Sequence, residues 1–62
     1  MENKYLCSVT EGAAIFNIGR DRLYQLVRAK QIPCLQIGRI TKINVPLMKQ
    51  FLEEATREGG KL

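Results

Sequence analysis

Residues 16–33, FNIGRDRLYQLVRAKQIP, carry the pattern that decides the fold of this 62-residue chain. Asn17 predicts the end of one helix, because asparagine tolerates the left-handed backbone that often closes helices. Gly19 can serve as the N-cap of the next helix. That second helix has one apolar face, since three residues recur at i, i+3 and i+4: Leu23, Leu26 and Val27. Ile32-Pro33 is expected to stop it.

The opposite face of the second helix is polar. Its centre and flanks comprise six side chains: Asp21, Gln25, Arg28, Tyr24, Arg20 and Arg22. A preceding helix is expected from Ser8 to about Phe16, because Ser8 and Glu11 have the spacing of a capping box. Gly12 is costly inside that helix, by about 1 kcal/mol relative to alanine, and only close packing would explain it. Two helices joined by a short turn form a helix-turn-helix, which presents the second helix to a DNA major groove.

Residues 34–45, CLQIGRITKINV, predict a β-hairpin, because two apolar runs flank Gly38-Arg39. Two loop lengths are open. A two-residue loop places four residues on one face and mixes charge with apolar groups: Leu35, Ile37, Ile40 and Lys42. A three-residue loop, 38–40, instead gathers Leu35, Ile37, Thr41, Ile43 and Val45, and leaves Gln36, Ile40 and Lys42 outside. The second register separates polar from apolar residues better, so we favour it.

The last predicted element is a helix capped by Asn44 and ended by Gly59. Its apolar positions follow helical spacing: Met48, Phe51, Leu52 and Ala55. Residues 1–6 are expected to be a short lead-in, with Tyr5 and Leu6 available to pack on the body. The sequence thus predicts one domain over residues 1–62 of α+β class, mostly α: a small winged helix-turn-helix with a two-stranded hairpin wing and a C-terminal helix.

Positive charge is concentrated in one segment. Residues 19–42 contain six basic residues and one acidic residue, which leaves +5, whereas the rest of the chain has four basic and five acidic residues. The net charge of +4 therefore arises in the segment that holds the second helix and the hairpin. Such an asymmetric distribution favours a polyanionic partner.

Several other functions are disfavoured by composition. The chain has no histidine, and Cys7 and Cys34 are two ligands short of a tetrahedral zinc site, so neither a metal nor another cofactor is expected. Catalysis is not expected either, because Glu53, Glu54 and Glu58 fit a solvated helix face. We expect reduced thiols in a cytoplasmic protein, with a single Cys7–Cys34 bridge as the alternative. No apolar run has the length of a membrane span.

The elements SVTEGAA, FNIGRDRLYQLVR, IP, QIGR and the pair Phe51-Leu52 resemble, in this order, the excisionase-type winged helix-turn-helix family. That family is related to the DNA-binding domains of MerR-type regulators, and the resemblance extends from Tyr5 to about Ala55. The FNIG corner followed by two leucines is especially similar to the small excisionases of conjugative transposons. Two positions depart from the family: Gly19 replaces the usual serine or threonine cap, and Thr41 stands at a wing position that is often aromatic.

The resemblance implies an accessory protein that binds double-stranded DNA, bends it and helps a tyrosine recombinase to excise a mobile element. The DNA-binding positions that it implies are Arg20, Arg22, Tyr24, Gln25 and Arg28 in the second helix, and Arg39 and Lys42 in the wing. The chemistry of these side chains suggests base readout by Arg22 and Gln25 and phosphate contacts by Arg20 and Arg28.

Two other functions remain open at this point. The same fold could serve a transcriptional regulator that has no recombinase partner, or an adaptor that contacts only proteins. The central charge of +5 disfavours the adaptor. We see no coiled-coil segment after the last helix, which a dimeric MerR-type regulator would need, so we expect a monomer in solution that assembles cooperatively on DNA.

Overall fold

The computed structural model describes residues 5–62 and contains three strands and three helices. In chain order these are β1 (Leu6–Ser8), α1 (Val9–Ile15), α2 (Arg20–Arg28), β2 (Cys34–Ile37), β3 (Ile40–Asn44) and α3 (Val45–Arg57). The α+β class and the winged helix-turn-helix order are confirmed. The part of the predicted lead-in at residues 1–4 lies outside the described residues.

The sheet has three antiparallel strands rather than two, in the order β1-β3-β2. The predicted lead-in was wrong at Leu6, which begins β1 and pairs with Asn44. The amide of Val45 also donates to the carbonyl of Tyr5 at 2.9 Å. These long-range hydrogen bonds make β3 the central strand, so the wing (the β2–β3 hairpin) is joined to the body of the domain through β1.

The predicted caps of α1 and α3 are confirmed. The hydroxyl of Ser8 accepts from the amide of Glu11 at 3.0 Å, and the Glu11 carboxylate accepts from the amide of Ser8 at 2.9 Å. At the start of α3 the Asn44 side chain accepts from the amide of Leu47 at 3.1 Å. Each cap satisfies amides that have no partner within the helix.

The turn between α1 and α2 is as predicted, but the end of α2 is not. Asn17 has a φ of 56°, and Gly19 is the N-cap of α2. However, α2 ends at Arg28, before Ile32-Pro33, because Lys30 also takes a φ of 56°. The amide of Lys30 donates to the carbonyl of Val27, and the next amide donates to the carbonyl of Leu26. These two bonds close the helix as a Schellman motif.

The favoured three-residue hairpin loop was wrong. Ile37 pairs with Ile40, so the loop consists of Gly38 and Arg39 alone. Gly38 has a φ of 64° and Arg39 has a negative φ, as expected for a type II′ turn with glycine first. A turn of this type matches the twist of the two strands. This local preference determines the register, although the other register would separate polar from apolar residues better.

The core lies between the sheet and the helices. Eight residues are buried in it: Cys7, Val9, Leu23, Leu26, Ile32, Ile43, Val45 and Met48. Of the apolar positions predicted for α2 and α3, Leu23, Leu26 and Met48 are buried there, and Val27, Phe51 and Leu52 are partly buried at its edge. Ala55 is half-buried and lies outside this core. Gly12 is also buried, and a Cβ built on it would lie 2.7 Å from the Cδ1 atom of Ile43. Close packing of α1 on β3 therefore explains the glycine.

We predict that Gly12→Ala destabilises the fold by about 1–2 kcal/mol, because overpacking outweighs the gain in helix propensity. Ile43→Val removes the clashing Cδ1 atom and alone should cost about 0.5–1.5 kcal/mol. The double variant should then be more stable than the sum of the two single effects by at least about 0.5 kcal/mol. Urea unfolding of the four proteins measures this coupling. Additive effects would contradict the close contact between Gly12 and Ile43.

Candidate nucleic-acid interface

The polar face of α2 is open to solvent. Gln25 and Arg28 are exposed opposite the apolar residues of the helix, and Arg20 and Arg22 are exposed on its two flanks. Tyr24 is also exposed, at 38%. All five candidate residues of this helix are thus accessible to solvent, although Arg20 and Arg22 lie about 160° apart around the helix axis.

Two of these residues are held together by a hydrogen bond. The Arg22 Nη1 atom donates to the Gln25 Oε1 atom at 3.1 Å, one turn further along the helix. The Arg22 Nη2 atom donates to the backbone oxygen of Leu62 at 2.7 Å. The guanidinium therefore lies on the flank of α2 that faces the residues after α3. These two bonds use two of the five N–H groups of the guanidinium, so three are left for other acceptors.

The two wing candidates are separated by the observed register. Arg39 is the second residue of the turn and is exposed at the tip of the wing. Lys42 is half-buried and pairs with Ser8 on one side and Leu35 on the other. It therefore lies on the outer face of the sheet, opposite the face on which Ile43 enters the core. The structure does not bring Lys42 together with the α2 residues.

The outer face of the wing is largely apolar. Leu35 and Ile37 are each 51% exposed and Ile40 is 58% exposed, and the pairing places all three on the side of Lys42. The exposure of Ile40 agrees with expectation, although for a different register. The inner face carries Cys34, Gln36, Thr41 and Ile43. Polar side chains near the tip therefore face the same side as the helices.

The two cysteines are not bonded to each other. Cys7 and Cys34 both pair with Ile43, from opposite sides of the central strand. Two strand spacings separate their Cα atoms by roughly 9–10 Å, whereas a disulfide needs less than about 7 Å. Within residues 5–62 no cluster of metal-ligating side chains is present, and no helix there is long and apolar enough to cross a bilayer.

A comparison with protein-family models gives a match to a helix-turn-helix domain over residues 6–56, which is most of the chain. The comparisons with curated proteins and with solved structures gave no match. The matched segment contains the five elements from β1 to β3 and all of α3 except its last residue, and so includes the exposed face of α2 and the wing. Together the match and this geometry support binding to double-stranded DNA.

Proposed function

The chain belongs to the helix-turn-helix domain family, and on that premise we propose that it is a sequence-specific accessory protein of DNA recombination. In this role it binds repeated sites near the ends of an integrated mobile element, bends the DNA and helps a tyrosine recombinase to excise the element. The chain itself is not proposed to cut or rejoin DNA strands. The tyrosine recombinase is proposed as a partner because the sequence resembles those of excisionases.

The observation that carries the DNA-binding part is the exposed face of α2. Arg20, Arg22 and Arg28 project from a helix that is fixed by the burial of Leu23 and Leu26. Because Leu23 and Leu26 are buried in the core, the helix can present these cations and keep its packing. Arg22 lies in the first turn of α2, the part of a recognition helix that reaches base edges in the major groove.

The roles within the interface follow from side-chain chemistry. We assign base contacts to Arg22 and Gln25, since an arginine fork matches guanine and a carboxamide matches adenine. Arg20, Arg28 and the hydroxyl of Tyr24 are assigned to phosphates, which position the helix without reading sequence. Arg39 at the wing tip is assigned to the minor groove or to a flanking phosphate. Lys42 is also proposed to contact DNA. Because it lies on the outer face of the sheet, we assign it to a phosphate further along the duplex.

An excision assay tests the recombination part of the proposal. Cells that carry the mobile element are compared with and without the gene for this chain, and excised circles are counted by quantitative PCR across the new junction. We expect excision to fall strongly without the gene and to return with a plasmid copy. Unchanged excision, with DNA binding intact, would instead support a transcriptional regulator that has no recombinase partner.

DNA affinity should depend steeply on salt. If about five side chains neutralise phosphates, log K should fall with log[salt] with a slope on the order of −4 to −5. The prediction rests on the six basic residues between positions 19 and 42. Fluorescence anisotropy with a labelled duplex, titrated at several salt concentrations, measures the slope. A slope near zero would contradict DNA binding through these residues.

Arg22 and Arg28 should differ in the kind of binding that they support. Arg22→Ala is expected to weaken binding to the cognate site by about 1–3 kcal/mol and to relax base preference locally. Arg28→Ala, two turns further along, should weaken all sequences about equally and serves as the matched control. Binding-site selection with both variants distinguishes the two effects. An unchanged base preference for Arg22→Ala would refute direct readout by this residue.

Arg39→Ala should reduce both DNA affinity and bend angle. A wing inserted beside the duplex favours bent DNA, whose elastic cost of about 1–6 kcal/mol is offset by the added contacts. Thermal stability should hardly change, because the residue is exposed in a turn. Gel shifts with circularly permuted fragments measure the bend. If bend and affinity equal those of the parent protein, the wing is only a structural hairpin.

A further inference from the structure

A groove of about 390 Å³ lies between the end of α2 and the inner face of the wing. Its polar lining comes from three separate parts of the chain: Lys30 after α2, Gln36 on β2 and Thr41 on β3. Gln36 and Thr41 are paired across the hairpin, so their side chains lie next to each other. None of these three residues was among the site positions predicted from the sequence. The groove nevertheless lies between α2 and the wing, the two elements that carry the proposed DNA contacts.

Lys30 occupies a backbone position that does not suit a lysine. Its φ of 56° places it at the left-handed position of the Schellman motif, where glycine and asparagine are preferred. The equivalent position after α1 is Asn17, and α3 is followed by Gly59 and Gly60. Only the turn that borders the groove thus carries a long cationic side chain. Glycine or asparagine would fit this backbone conformation with less strain, so the presence of a lysine suggests a function for its side chain.

We propose that this groove holds a phosphodiester group of the DNA strand that passes between α2 and the wing, with Lys30 as its cation. This proposal rests on the proposed DNA-binding function and adds a site to it. Gln36 supports it, because its Nε2 atom donates one hydrogen to the carbonyl of Gly38 at 3.3 Å and has a second hydrogen to donate. The hydroxyl of Thr41 is a further donor. Amide and hydroxyl donors beside an ammonium are typical phosphate contacts in protein–DNA complexes.

The backbone conformation of Lys30 allows a sharp test. Lys30→Gly removes the ammonium but suits the left-handed position better, so we expect equal or higher thermal stability. DNA affinity should fall by about three- to tenfold at 0.1 M salt on all sequences, and the salt slope should become shallower by about 1. Lys49→Ala is the matched control, since it removes the same charge from the exposed surface of α3. It should change affinity much less.

Cys34 reports on the groove directly, because its partly buried thiol lies in the lining. Duplex DNA of mixed sequence, about 20 base pairs long and at low salt, should slow its alkylation by N-ethylmaleimide at least about tenfold. Cys7 is buried in the core and provides an internal reference for unfolding. The two modifications are separated by mass spectrometry of peptides.

The outcomes separate the two proposals. Slower alkylation of Cys34, with reduced affinity for Lys30→Gly and not for Lys49→Ala, supports the phosphate site. If the parent protein binds DNA but Cys34 reacts at its free rate and Lys30→Gly binds normally, the groove proposal is wrong and DNA binding stands. If the parent protein binds no duplex at any salt concentration, the proposed function itself fails.

Discussion

The close approach of Gly12 to Ile43 determines how the helices sit on the sheet. Because residue 12 has no Cβ, α1 can lie directly against the central strand, and the Ile43 side chain fills the space. A Cβ at this position would also lie 3.6 Å from the Cδ2 atom of Leu23, the most deeply buried residue of α2. The missing methyl group thus lets α1 approach the sheet closely, whereas the distance to Leu23 is an ordinary van der Waals contact.

Features that depend on neighbours within about four residues could be predicted from the sequence. The capping box at Ser8, the left-handed Asn17 and the Asn44 cap need only short-range hydrogen bonds, and all three are present. The apolar face of α2 follows from helical spacing alone. For the same reason the polar face, which carries most of the candidate site, could be read from the chain without knowing what packs behind it.

Features that depend on distant partners could not be predicted in this way. Strand β1 exists because Leu6 meets Asn44, far away in the sequence, and nothing within residues 1–8 signals that pairing. The hairpin register failed for another reason: we assumed that the outward face of the wing would be polar, but it carries Leu35 and Ile37. The groove beside Lys30 was missed because it forms only when α2 ends early and the wing has the shorter loop.

The two-residue turn at Gly38-Arg39 also restricts how this protein can change its length. Successive side chains of a strand point to opposite faces of the sheet. One residue inserted or deleted in the hairpin would therefore turn the inward-facing side chains of one of its strands outward. Either Thr41 would turn outward and Ile43 would leave the core with it, or Gln36 would turn outward on the other strand. Each change would remove a polar side chain from the groove beside Lys30. Lineages that lengthen or shorten the wing should therefore do so by two residues at a time. Selection should therefore remove insertions and deletions of a single residue within this hairpin.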